Sequence, residues 1–300
     1  PRDRALPAPR RAPAPPRAAT PRAATPRARI GRPVPQAAAR AAMAVSSLDW
    51  LRSEGGNLLA ADGATLRLLG LRLSPNADAA AIACADQLLA QVPQGRRCVA
   101  LCLSLAAQLT PPALLRLDAR IDAWAAQGIY TLLRLDARLW LHGHHLRLAQ
   151  RHARRPAVMF GLLGRPPLAA RLWAAARALQ SLHPRALVWL PLESVAELPQ
   201  ARMQPGLGLL WDATRPQAPP AAALAGTLRQ PLLLDGWQPL AQAPMAHERL
   251  MALCRQGNIG WLAHSAAGWF GPSRGVPVPT RAVHALQRAV HASTAGSAFS

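Results

Sequence analysis

The chain has 300 residues, about half of them hydrophobic, and a formal net charge of +21 in which every basic residue is Arg. No apolar run approaches the roughly 18 residues that a membrane span needs, so we expect no membrane segment. The charge suggests an acidic partner. However, no nucleic-acid-binding motif accompanies it, which disfavours nucleic acid.

The first 42 residues are a Pro, Ala and Arg repeat that holds ten Arg and one Asp. Such a segment cannot bury enough apolar surface to offset the entropy lost on ordering, so we predict a disordered tail over residues 1–46. It lacks the apolar core of a secretory signal, which favours a cytoplasmic location. One functional hypothesis follows from this tail, namely a basic module that binds acidic polymers.

The cysteines show no metal or redox spacing. Cys84, Cys98, Cys102 and Cys254 form no CxxC motif, and we interpret Cys98 and Cys102, which lie in one apolar run, as free buried thiols rather than as a disulfide. The sequence also contains no phosphate-binding loop and no nucleophile elbow. We therefore expect no cofactor.

Strands and helices alternate from residue 47 to residue 295. Residues 57–70 alternate around Asp62-Gly63, which predicts a β-hairpin. The pattern then predicts strands at about 68–72, 97–103, 129–135, 157–163, 186–191, 206–212, 230–235 and 259–264. Helices are predicted at about 78–92, 111–127, 145–154, 168–182, 219–228, 245–256 and 279–292.

This alternation predicts a (β/α)8 barrel with a disordered tail before it. An open doubly wound sheet is the alternative. The sequence has no Gly-x-Gly-x-x-Gly after its first strand, which favours the barrel.

Six segments carry a family resemblance: residues 56–74, 121–136, 154–166, 183–189, 231–237 and 259–264. They resemble, in the right order, the entry hairpin and the third, fourth, fifth, seventh and eighth strand regions of glycoside hydrolase family 5, the cellulase-like enzymes. The resemblance implies that the hairpin closes the bottom of the barrel. It also implies retaining hydrolysis by two Glu whose carboxyl groups lie about 5–5.5 Å apart.

The positions that match the two catalytic Glu have changed. The family's acid/base falls on Arg165, after Gly164, and an Arg cannot release a proton near neutral pH. Its nucleophile falls on Gly236. Asp235 is one residue early, and a one-residue step along a strand turns a side chain to the opposite face. The family's second-strand Arg, its His and Tyr, and its eighth-strand Trp fall on Ala100, Thr214, Pro216 and His264.

These changes predict a glycoside-hydrolase-like barrel that no longer cleaves glycosides, with an oligo- or polysaccharide or a protein partner at its mouth. The alternative is an active hydrolase with relocated carboxylates at strand ends: Asp136, Glu193, Asp212 and Asp235. A competing structural interpretation pairs these acids with Arg, such as Asp136 with Arg134 or Arg138 and Asp212 with Arg215.

Two further groups of residues are candidates for binding. Four Trp near strand ends could stack on sugar rings, together with His264: Trp140, Trp211, Trp237 and Trp269. His142, His144 and His145, with Asp136 and His264, could form a metal site for the alternative hydrolase. We favour solvent-exposed or capping roles for these His and predict no metal site.

Overall fold

Eight parallel strands close into a barrel with helices between them, which confirms the predicted (β/α)8 fold. The computed structural model describes residues 48–73, 79–93, 96–195, 205–212, 229–237, 244–264, 270–271, 278–279 and 287–291. The predicted tail and the helix predicted over 219–228 lie outside the described residues. None of the described helices is long and apolar enough to cross a membrane.

Three short strands precede the barrel: β1 (Arg52–Glu54), β2 (Asn57–Leu59) and β3 (Thr65–Leu66). The barrel strands are β4 (Leu69–Leu73), β5 (Arg97–Leu103), β6 (Ile129–Leu135), β7 (Val158–Leu162), β8 (Val188–Pro191), β9 (Leu207–Asp212), β10 (Leu232–Trp237) and β11 (Gly260–His264). They follow one another around the barrel in chain order, and β11 closes it by pairing with β4. Two more short strands, β12 (Phe270–Gly271) and β13 (Val278–Pro279), pair with each other.

The helices are α1 (Ala79–Leu89), α2 (Pro111–Ala126), α3 (Ala137–Leu141), α4 (His144–His152), α5 (Ala169–Leu182), α6 (Leu192–Val195) and α7 (Pro244–Gln256). Pro111 begins α2, where the absent N–H of proline is tolerated. The sequence pattern did not predict the short α3. It forms because the carboxylate of Asp136 accepts a hydrogen bond from the backbone N–H of Leu139 and caps the helix.

The strands are buried on both faces, as β6 illustrates, because all seven of its residues are buried. Leu132 points into the barrel, where it packs among residues such as Leu68 and Cys98. Leu133, the next residue, belongs to the layer between barrel and helices. Strand alternation thus assigns each residue to one of two cores, and it decides which side chains reach the barrel mouth.

The small sheet before the barrel packs against the amino ends of the barrel strands. β2 pairs with β3 as predicted, and Leu58 and Leu66 share the interior core with Tyr130. The turn spans residues 60–64 rather than two residues, because the carboxylate of Asp62 accepts a hydrogen bond from the backbone N–H of Ala64. β1 pairs with β2 and was not predicted, since its polar residues show no alternation.

A partly exposed ion-pair network ties α2 to α4 and to the residues just after it. Asp118 on α2 accepts hydrogen bonds from Arg151 and from Arg155, the latter at 2.8 Å. His152 is fully buried beside it, with its Nδ1 3.2 Å from Nη1 of Arg155. Burial raises the pKa of Asp118, but the two Arg outweigh that effect, so the pKa lies below its ordinary value.

Candidate functional site

A pocket of about 500 Å³ opens at the carboxyl ends of β6 to β10. The described residues that line it include four carboxylates: Asp136, Glu193, Asp212 and Asp235. Two guanidinium groups, those of Arg134 and Arg165, share the lining. The structure therefore brings together all four acids that the sequence placed at strand ends.

Asp235 lies at the carboxyl end of β10 and is only 2% exposed. Its Oδ2 forms an ion pair with Nη2 of Arg134 and lies 3.5 Å from Nη1 of Arg72. Both Arg come from the inner faces of their own strands, β6 and β4. Two cations thus hold the only carboxylate that β10 contributes to the pocket.

The side chain of Asp235 points into the barrel, which corrects the expectation that it faces away. Asp235 follows Leu233 by two residues on the strand, so its side chain points to the same face as Leu233, a residue of the interior core. The pairing of β10 with β11 then shifts register between Asp235 and Trp237, and Gly236 has a φ of +74°. Gly236 is the extra residue of a β-bulge, so Asp235 rather than Gly236 provides the inward-facing position at this strand end.

Arg134 connects three strands at the floor of the pocket. Its Nη1 donates a hydrogen bond to Sγ of Cys102 at 3.0 Å, and its Nη2 contacts Asp235. Cys102 and Arg134 are directly paired on β5 and β6. The structure therefore pairs Arg134 with Asp235, not with Asp136 as one interpretation of the sequence had it, and Asp136 instead caps α3.

The other lining positions follow from the ends of β7 to β9. Gly164 and Arg165 form the wall after β7, and Arg165 is exposed. Asp212 is directly paired with Asp235 on the neighbouring strand. Since adjacent strands lie about 4.8 Å apart, these two acids are close neighbours at the mouth.

Three of the four Trp predicted to bind sugar are buried away from the pocket. Trp140 is 3% exposed and donates a hydrogen bond from its Nε1 to the backbone oxygen of Leu163 at 2.7 Å. Trp211 faces the helix layer because its neighbours on β9 face inward. Trp237 is turned outward by the bulge and packs edge-on against Trp261, with ring centroids 5.4 Å apart. Trp269 lies outside the described residues.

The remaining candidates are divided between the mouth and the core. His264 ends β11, half-buried, and is directly paired with Arg72. Ala100 is buried in the interior core, and Thr214 and Pro216 lie outside the described residues.

His145 is buried in α4, which lowers its pKa, whereas His142 is exposed. No group of three or more His, Cys, Asp or Glu within the described ranges is arranged to hold a metal ion.

Cys98 and Cys102 are free thiols, as predicted, and Cys254 is a free thiol as well. Burial raises the pKa of Cys254 to about 12. The side chain of Cys84 lies outside the described part of the chain. The described thiols therefore include no disulfide framework.

Several solved structures share this fold, whereas no protein-family model and no curated protein matches the sequence. A mutant form of Thermotoga maritima Cel5A in complex with cellobiose has a TM-score of 0.52 at 11% identity, over 75% of this chain and 96% of that one. The β-mannanase of Thermomonospora fusca in complex with mannohexaose has a TM-score of 0.52 at 12% identity, over 76% of this chain and 87% of that one.

Saccharomyces cerevisiae Gas2p in complex with laminaritriose and laminaritetraose also shares the fold, with a TM-score of 0.55 at 11% identity. The match covers 82% of this chain and 69% of that one. The structural neighbours are glycoside hydrolases. At such low identity, the likeness shows a glycoside-hydrolase-like barrel fold.

Proposed function

We propose that this chain is a carbohydrate-binding barrel that does not hydrolyse glycosides by the retaining mechanism. The observation that carries the proposal is the ion pairing of Asp235 with Arg134 and Arg72. A nucleophilic carboxylate must be free to attack the anomeric carbon. Here two guanidinium groups contact its Oδ2 and hold the almost completely buried side chain at the barrel floor.

The opposite wall supports the same proposal. The resemblance to family 5 puts the proton donor at the end of the fourth barrel strand, where Arg165 lines the pocket. An Arg keeps its proton throughout the physiological range, so it cannot protonate a leaving oxygen. The pocket thus lacks a donor at that position even though its size suits a sugar unit.

The pocket would bind a sugar by hydrogen bonds rather than by aromatic stacking. No aromatic side chain is among the described residues that line the pocket. A sugar would therefore be held by hydrogen bonds from its hydroxyl groups to the half-buried carboxylates of Glu193 and Asp212, and from the exposed Arg165. The solved neighbours in complex with cello-, manno- and laminari-oligosaccharides motivate a neutral oligosaccharide as the ligand class.

Isothermal titration calorimetry with cello-, manno- and laminari-oligosaccharides tests this binding. We expect binding by the parent protein and a loss of at least about tenfold in affinity when Glu193 and Asp212 are both changed to Ala. The matched control changes Glu54 and Glu248, two exposed acids, to Ala and should bind as the parent does. Absence of binding by the parent, or equal losses in both double variants, would contradict the proposal.

A second candidate function rests on the direct pairing of Asp212 with Asp235. Two carboxylates on neighbouring strands are near enough for the retaining separation of about 5–5.5 Å. In that case the chain is an active hydrolase with a relocated acid pair. Hydrolysis that disappears in both Asp212→Asn and Asp235→Asn would favour this candidate over the first.

A further inference from the structure

A second cavity, of about 340 Å³, lies on the outer side of the barrel wall. It is bounded by β5, by α2 and by the segment between them, residues 104–110, and we call it the outer groove. Leu101 and Leu103 of β5 line it, and both belong to the layer between barrel and helices. The described residues that line it include none of those that line the pocket at the barrel mouth. The two cavities are therefore separate sites.

One face of α2 forms the wall opposite β5. Ala113, Arg116, Leu117 and Arg120 follow the spacing i, i+3, i+4, i+7, which places their side chains on a single face of the helix. The segment before α2 adds Leu105, whose side chain is 51% exposed. A ligand with an apolar part would cover this exposed surface, and burial of such surface is favourable.

The charged groups of the outer groove are both cationic. Arg116 forms no ion pair within the described part of the chain, and the guanidinium group of Arg120 lies 5.9 Å from the centre of the Trp124 ring. The acids on α2 that are nearest in sequence, Asp118 and Asp122, pair instead with Arg side chains of α4 and of the residues after it. No acidic side chain is among the described residues that line the groove. The groove therefore favours a negatively charged group.

The remaining polar side chain, that of Gln108, adds a hydrogen-bond donor. Its Oε1 accepts hydrogen bonds from the backbone N–H groups of Ser104 at 2.7 Å and Leu105 at 3.1 Å. The orientation of the amide is thus fixed, and its NH₂ group is left as the donor. An ionised carboxylate, which only accepts hydrogen bonds, matches a lining that offers only donors.

The size and surroundings of the outer groove exclude larger partners. Its volume equals that of a cube about 7 Å on a side, whereas an α-helix with its side chains is about 10–12 Å across. A peptide strand cannot be added either, because β5 is already paired with β4 and with β6. The volume lies within the range of small-molecule sites. No aromatic side chain is among the described lining residues, so an aliphatic chain suits the groove better than a planar ring.

We propose that the outer groove binds a single-chain aliphatic carboxylate, independently of what the barrel mouth binds. Arg116 and Arg120 lie one helical turn apart, about 6 Å along α2, so the guanidinium groups can approach one carboxylate together. The aliphatic chain lies against the Leu side chains of β5 and covers Leu105. The ligand is thus a small anionic amphiphile of the fatty-acid type.

Isothermal titration calorimetry of the full chain with decanoate tests the proposal. The first test variant changes Arg116 and Arg120 to Gln. Its control changes Arg147 and Arg171 to Gln, which removes the same charge from exposed positions of α4 and α5.

A second pair of variants tests the apolar part of the site. Ala113→Leu places a larger side chain in the groove, whereas Ala119→Leu makes the same change at an exposed position of α2 that does not line it. Thermal unfolding of all four variants shows that each remains folded.

We expect the parent to bind decanoate, and both test variants to bind it at least about tenfold more weakly. Both controls should bind it as the parent does. Acetate, which lacks the chain, and decyltrimethylammonium, which carries the opposite charge, should not bind at this site. Absence of decanoate binding by the parent, equal losses in test and control variants, equal binding of decyltrimethylammonium, or tighter binding of decyl phosphate would overturn the proposal.

Discussion

The guanidinium group of Arg134 pairs with the carboxylate of Asp235 across the floor of the barrel mouth, and both side chains are almost completely buried. A buried ion pair of this kind is costly to break, because removing one partner leaves an uncompensated charge. The pair therefore fixes both the local structure and the chemistry that the pocket can perform.

Removal of Asp235 alone should destabilise the protein strongly. We expect Asp235→Leu to lower the free energy of unfolding by about 3–5 kcal/mol, because Arg134 is left buried without its partner. The double variant Arg134→Met with Asp235→Leu should recover most of that loss. Urea unfolding of Asp235→Leu, of Arg134→Met and of the double variant gives the coupling energy, and additive effects would show that the pair is not coupled.

The bulge at Gly236 restricts what can replace it. Its φ of +74° disfavours any side chain, so Gly236→Ala should cost about 1–2 kcal/mol. Gly164 is the matched control, because a Cβ there would meet Leu172 and Trp140 at 3.5 Å, an ordinary contact. Gly164→Ala should change stability by less than about 1 kcal/mol, as measured by thermal unfolding. Equal losses would contradict the role of the bulge.

The positive φ of Gly236 also limits any attempt to introduce the two catalytic Glu of glycoside hydrolase family 5, which the sequence resembles. A Glu at position 236 would enter the positive-φ bulge, whereas the inward-facing position is that of Asp235. A variant with Gly164→Asn, Arg165→Glu and Asp235→Glu should therefore remain closer to the parent in stability than one that carries Gly236→Glu. Comparison of the two thermal unfolding midpoints checks this.

Trp140 should act on stability rather than on sugar binding. Its ring is buried and its N–H is bonded to Leu163. Trp140→Ala should lower the free energy of unfolding by about 3–5 kcal/mol. A sugar platform predicts the reverse pattern, with affinity lost at unchanged stability, and urea unfolding together with calorimetry separates the two.

The free energy of unfolding should decrease as the pH is lowered, because His152 is buried. Burial, together with the charge of Arg155, lowers the pKa of His152 from 6.5 to about 4, although Asp118 opposes this. The remaining groups that face it are Arg151 and His183. The unfolded chain therefore binds the proton first as the pH falls, and stability is lost between about pH 6.5 and pH 4, by about 3 kcal/mol from this group.

Urea unfolding at pH 7, 5 and 4 measures this dependence. His152→Asn should flatten it, while the exposed His142→Asn should leave it unchanged. His145 and His183 are also buried and have lowered pKa values, so they too make the free energy of unfolding decrease as the pH falls. Asp118 contributes only at more acidic pH, because its pKa is lowered too. An identical slope in His152→Asn would contradict the account.

The sequence predicted the strands of the barrel well, because each is an apolar run buried on both faces. It also identified the four acids of the pocket, since strand ends gather at one rim. It failed where one residue reverses a face: Asp235 keeps the inward-facing position at the strand end, and the bulge at Gly236 turns Trp237 outward. The sequence pattern could have identified Arg72 and Arg134 as site candidates, because each is a charge within an otherwise apolar strand. That both pair with Asp235 could be seen only in the folded structure.

The most direct test of the central proposal is the release of reducing sugar from β-1,4-, β-1,3- and mannan-type oligosaccharides by the parent protein. We predict none, because Arg165 cannot donate a proton and Asp235 is held by Arg134 and Arg72. Sustained release that is lost in Asp235→Asn would contradict the account.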